Sequence, residues 1–186
     1  MKEALEAGGH DARTVEGRHP TPILIMGAER RCAVSTEPNA AMGRPAGLYG
    51  NRFAAAPKEV VRQAVRPIVP ATVTNLLAIA APSGGYGEYE EHEIGGILRT
   101  AYTGFSAARQ LAGARVAIHT GFWGCGAFGG NRRLMAMLQL VAAQMAEIDL
   151  LVFHAFDAAG MRELAGARET LASRFGGIAL PLDELE

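Results

Sequence analysis

Across the second half of the chain, short apolar runs alternate with longer stretches whose apolar residues recur at helical spacing. This alternation restricts the fold more than any other feature. Residues 73–80, 115–119 and 149–155 read as strands. Residues 88–111 read as a helix, with Ile94, Ile97, Leu98, Ala101 and Phe105 on one face. Residues 131–147 read as a second, with Leu134, Leu138, Val141 and Met145 aligned, and residues 158–175 as a third. Strands separated by helices predict an α/β fold with a mostly parallel sheet covered on both faces. The first half is less regular. Residues 22–27 are an apolar run ending in glycine and predict a buried strand; residues 57–65 predict a short helix with Pro57 in its first turn, broken before Pro67 and Pro70. Residues 1–20 read as a polar leader, a short helix followed by mobile chain. Residues 28–56, rich in Arg, Gly, Pro and Asn, carry no assignment. Residues 21–186 are read as one domain.

Composition narrows the function. A net charge of -1 over 186 residues leaves no basic excess, which argues against a general nucleic-acid or membrane-surface binder. With 49% hydrophobic and 20% charged residues the chain resembles an ordinary globular protein. No apolar run approaches the ~20 residues of a membrane span, and the charged start Met1-Lys2-Glu3 shows no signal peptide. Cys32 and Cys125 are far apart and form no CxxC pattern, so neither a disulfide framework nor a cysteine zinc site is expected, and a reducing cytoplasm is.

Chemistry concentrates between the 115–119 strand and the 131–147 helix, in Gly121-Phe122-Trp123-Gly124-Cys125-Gly126-Ala127-Phe128-Gly129-Gly130. Glycines let backbone amides approach phosphate oxygens. Successive amides form an anion-binding nest, reinforced by the dipole of the following helix. Asn131 is the candidate N-cap. Arg132 and Arg133 would oppose the dipole by about 0.3–1 kcal/mol each unless an anion lies near. The competing readings are a close-packed glycine turn without ligand and a Rossmann loop. For the latter, Gly124, Gly126 and Gly129 satisfy G-x-G-x-x-G, and Asp157 stands where a ribose-binding acid would. The register argues against it, because Thr120 to Trp123 separate strand from first glycine and the helix starts after the last one. Glu88, Glu90, Glu91 and Glu93 form the densest acidic cluster. They read as helix-capping carboxylates, with a glycosidic general acid as the alternative. His119 and His154 read as structural histidines, Cys125 as a packing residue and Trp123 as an anchor. No His, Cys or Asp spacing suggests a metal.

The loop resembles the signature of the poly(ADP-ribose) glycohydrolases, whose diphosphate loop carries Trp-Gly-Cys-Gly-Ala-Phe-Gly-Gly. The likeness continues through Arg133-Leu134, Leu138-Gln139 and Ala142-Ala143 to Phe156-Asp157, and upstream through residues 98–105. It spans residues 72–175. It implies a macrodomain-like three-layer α/β/α fold and ADP-ribose or poly(ADP-ribose) as partner, with no cofactor. It implies that Gly124, Cys125, Gly126, Ala127, Phe128, Gly129 and Gly130 surround the diphosphate, with Phe128 against a ribose and Phe153 or Phe156 on the adenine or ribose. The family cleaves ribose–ribose O-glycosidic bonds through a three-glycine run followed by Gln-Glu-Glu. Neither a three-glycine run nor a Gln-Glu pair occurs in this chain. Asn131 stands where the family has Asp, and Phe122 where it has Asn. The expectation is therefore ADP-ribose recognition by the C-terminal half of such a domain behind an unrelated or strongly diverged beginning. The alternatives are a non-catalytic binding module and an NAD-dependent oxidoreductase. The unfinished sheet implies a homodimer or a missing N-terminal half.

Overall fold

A computed structural model describes residues 6–82, 88–126, 128–176 and 182–185, the last by their backbone. The chain divides into two units, Ile25–Leu76 and a second formed by Met1–Leu24 with Leu77–Glu186.

The larger unit holds a three-stranded parallel sheet of β5 (Ala117–Gly121), β6 (Leu150–His154) and β7 (Leu182–Leu185), in that order. Its helices are α3 (Glu91–Ala112), α4 (Arg132–Met145) and α5 (Ala158–Phe175). The core forms where the apolar stripes of the helices meet the sheet: Ala101 and Phe105 of α3, Ala136, Leu140 and Ala143 of α4, Leu151 and Phe153 of β6, and Leu164, Ala167 and Leu171 of α5. Local signals set the helix ends. Glu90 and Glu93 form a capping box, Glu90 N–H donating to Glu93 Oε2 at 2.9 Å. Asn131 Oδ1 accepts from Leu134 N–H, and Asp157 Oδ1 from Gly160 N–H at 2.6 Å. Gly113 and Gly176 close α3 and α5 in the left-handed conformation. Among the described residues no helix is long and apolar enough to cross a membrane.

One polar residue lies deep in this core. Gln139 of α4 is 1% exposed. Its Oε1 accepts from the Thr120 hydroxyl, and its Nε2 donates to the Gly121 carbonyl at 2.9 Å and the Met135 carbonyl at 3.2 Å. The side chain therefore ties the helix to the strand end from which the glycine loop departs.

The remaining strands correct the expectation of one mostly parallel sheet. β3 (Ile23–Val34) and β4 (Val65–Ala78) pair with each other in a separate two-stranded sheet. Both are largely exposed, and β3 contains Glu29-Arg30-Arg31, unlike a parallel strand buried on both faces. Between them, a 3-10 turn at Ala40–Met42 is capped by Asn39, followed by α1 (Asn51–Ala55) and α2 (Lys58–Ala64). β4 starts directly after α2 and contains Pro67 and Pro70; a two-stranded sheet has open edges where a missing amide proton is tolerated. Part of the leader is also ordered: β1 (Val15–Glu16) and β2 (His19–Pro20) form an antiparallel hairpin. Residues 1–5 lie outside the described residues.

Candidate functional site

The glycine loop leaves the C-terminal end of β5 and enters the N-terminus of α4, where ligands of open α/β sheets are bound. Its backbone is closed by its own hydrogen bonds. Trp123 N–H donates to Gly121 O at 2.8 Å, Cys125 N–H to Phe122 O at 3.1 Å, Gly129 N–H to Gly126 O at 3.1 Å and Gly130 N–H to Gly124 O at 3.1 Å. Gly124 has φ +77°, and a Cβ there would lie 2.9 Å from Pro82 Cγ. A Cβ on Gly130 would lie 2.8 Å from the Gly124 carbonyl oxygen. Gly126 differs: among the described residues, a Cβ there meets nothing within 4 Å. Tyr89, which the sequence reading did not single out, fixes the loop's far end by accepting from Asn131 N–H at 3.0 Å. The amides of Gly124, Gly126, Phe128, Arg132 and Arg133 have no protein acceptor among the described residues. Unpaired donors beside a helix N-terminus make a region of positive potential suited to an anion. Ala127 lies outside the described residues.

The two arginines of the first turn are matched by carboxylates. Arg132 Nη1 is 3.1 Å from Asp157 Oδ1, and its guanidinium lies 5.3 Å from the centre of the Phe122 ring. Arg133 Nε is 2.9 Å from Glu163 Oε2. Asp157 is thus engaged as the cap of α5. The Gly160 amide, with Arg132 beside it, holds its carboxyl below the usual range.

Cys125 packs with Ile97, Met135 and Leu138, its Sγ 3.7 Å from the Trp123 carbonyl oxygen. Burial pushes its thiol up to about 11 against the opposing pull of Arg132. A thiol so far from ionising is no nucleophile at neutral pH. Trp123 packs against the core between helices and sheet and also against Ile97, Met135 and Leu138. It also lines, with Tyr89, Glu93 and Thr100, a cleft of about 280 Å³ that none of the loop glycines borders.

The aromatic candidates separate by exposure. Phe128 is 47% exposed and Phe156 75%. Phe153 is 0% exposed and meets Phe122 edge-on with centroids 5.0 Å apart; its ring is enclosed by the core, so of the two residues weighed for the adenine or ribose only Phe156 has a free face. Phe156 also has φ +67°, a conformation a bulky residue adopts at a cost of about 1–3 kcal/mol. Its ring lies 3.1 Å from where a Gly121 Cβ would sit, at the strand end that leads into the loop. The acidic cluster caps α3, with His92 Nδ1 3.1 Å from Glu90 Oε2. His119 and His154 meet across β5 and β6, a pairing that a separation of 35 residues conceals in the sequence.

The family model for poly(ADP-ribose) glycohydrolase (PARG), Macro domain fold, matches residues 23–163. The match begins well before residue 72. It includes β3, the unassigned residues 28–56 and β4, so this stretch is part of the family match and not an unrelated beginning.

Proposed function

The chain belongs to the poly(ADP-ribose) glycohydrolase family with the macro domain fold, and from that premise we propose that its larger unit recognises ADP-ribose units through the loop of residues 124–130. Members of the family act on poly(ADP-ribose), so the ligand class follows from membership, and the loop is where this chain offers it donors. The observation that carries the reading is the set of amides on Gly124, Gly126 and Phe128 without an acceptor among the described residues, continued by those of Arg132 and Arg133 at the start of α4. A diphosphate offers enough acceptor oxygens for several of them, and charge-assisted bonds to amides are about twice as strong as neutral ones. Because Arg132 and Arg133 already pair with Asp157 and Glu163, the attraction rests on the backbone and helix dipole. Phe128 and Phe156, both with exposed rings, supply apolar surface for ribose and adenine.

Catalysis is a separate matter. Hydrolysis of a ribose–ribose bond needs a carboxylic acid within hydrogen-bond reach of the glycosidic oxygen. These 186 residues contain no three-glycine run and no Gln-Glu pair, and Glu90 and Glu93 are engaged with each other's backbone at the start of α3. The proposed activity of this chain is therefore binding, and hydrolysis would require a carboxylic acid positioned at the glycosidic oxygen. Calorimetric titration tests the reading: ADP-ribose binds, and adenosine, which lacks the diphosphate, binds far more weakly. Equal affinities would remove the diphosphate from the account. Free ADP-ribose released from polymer by the purified chain would overturn the restriction to binding.

A further inference from the structure

His119 and His154 sit on adjacent parallel strands with a register that pairs His119 with Val152 and Gly121 with His154. Alternation along a strand therefore puts both histidines on one face of the sheet. His119 Nδ1 and His154 Nε2 are 3.0 Å apart, and the ring centres 5.3 Å apart. As neutral imidazoles, one ring donates the shared proton and the other accepts it. The same two nitrogens are the usual imidazole ligands of late first-row divalent metals.

We propose that His119 and His154 form a two-nitrogen site for a divalent ion of the nickel(II) or copper(II) class, with its other positions open to water or an added ligand. The ligand type selects the metal class: imidazole nitrogens suit late first-row divalent ions, and affinity for such ligands rises along the row to nickel(II) and copper(II). The rings must turn from facing each other to facing a common point, a small motion for the exposed His119. Binding requires both nitrogens unprotonated. The shared proton moves to the other nitrogen of the ring that carried it, Nε2 of His119 or Nδ1 of His154, and no net proton is released. Among the described residues no cluster of three or more His, Cys, Asp or Glu surrounds a common point, so the site is an open chelate and not a closed structural centre. The proposal stands independently of ADP-ribose binding.

The test is titration of the untagged protein with nickel(II) chloride at neutral pH, followed by equilibrium dialysis and thermal melting. One nickel ion per chain is expected, with a raised melting temperature because the ion binds the folded state. His119→Ala and His154→Ala should each weaken binding by about tenfold or more, since the second nitrogen of a chelate acts at high effective concentration. The double variant should be little worse than either single one, and His92→Ala should bind as the unmodified protein does. His119→Gln and His154→Gln, which keep bulk and polarity, should lose nickel equally while melting as the unmodified protein does without metal. Magnesium in excess should not compete, because it prefers oxygen ligands. No uptake by the folded protein, or uptake indifferent to all four substitutions, would overturn the proposal.

Discussion

Replacing Gly126 by valine separates the loop's role in binding from its role in the fold. The stability effect follows from local geometry. A Cβ on Gly126 has nothing within 4 Å among the described residues, and the residue does not require the left-handed conformation that would penalise a branched side chain. The change should move stability by no more than about 1 kcal/mol, or roughly 2–4 °C in Tm for a domain of this size. The effect on binding should be larger. Open space above Gly126 is what a phosphate needs to reach its amide, and an isopropyl group fills it. Losing one charge-assisted bond of about 1.5–3 kcal/mol weakens ADP-ribose binding about 10- to 150-fold. Adenosine affinity should not change. Calorimetry with both ligands, paired with a thermal melt, reads all three quantities. Unchanged ADP-ribose affinity in a variant that melts like the unmodified protein would refute the reasoning, because the space above Gly126 would then hold no phosphate.

Three further outcomes follow from the packing and charge arrangement. Gln139→Leu strands the Thr120 hydroxyl and the Gly121 carbonyl in the core, and denaturant unfolding should show a loss of about 1–3 kcal/mol. Asp157 has a carboxyl whose folded pKa is depressed, chiefly by the Gly160 amide and then by Arg132. Its contribution is full above the unfolded value and disappears as pH falls through the folded one. The stability gap between unmodified protein and Asp157→Asn should thus be flat from neutral pH to about 4 and close below that; a gap that closes between pH 5 and 7 would contradict the assignment. In the folded protein at pH 8, iodoacetamide should modify exposed Cys32 well before Cys125, whose thiol is pushed up to about 11, with mass spectrometry reporting the order.

The sequence was most informative where local signals coincide with the periodic pattern. α5 spans Ala158–Phe175 as expected, because Asp157 caps its start and Gly176 turns out of its end. Asn131 caps α4 for the same reason. β5 was displaced by two residues: Val116 N–H is bound at 2.7 Å to the Asp149 side chain, and the ladder with β6 starts one residue later and runs on to Gly121. The β3–β4 sheet was largely hidden, since charged residues interrupt the alternation of β3 and two prolines disguise β4. Tertiary pairing overrode both local signals. In the candidate site, the loop was legible because glycines at such density have few other uses. Tyr89, Gln139 and the histidine pair were not, because each works through a partner at least 18 residues away and no spacing rule reports it. Phe153 and Phe156 looked alike in the sequence and differ in the fold because β6 directs one into the core, whereas the other lies beyond the strand end.

The central claim is that ADP-ribose is held by the backbone of residues 124–130 and the first turn of α4. Following amide resonances of the isotopically labelled protein during ADP-ribose titration tests it most directly. The account predicts that at saturation the largest shifts fall on the amides of Gly124, Gly126, Phe128, Arg132 and Arg133, while those of the C-terminal turns of α5 stay in place. Saturable shifts centred elsewhere, or no shift at millimolar ADP-ribose, would contradict it.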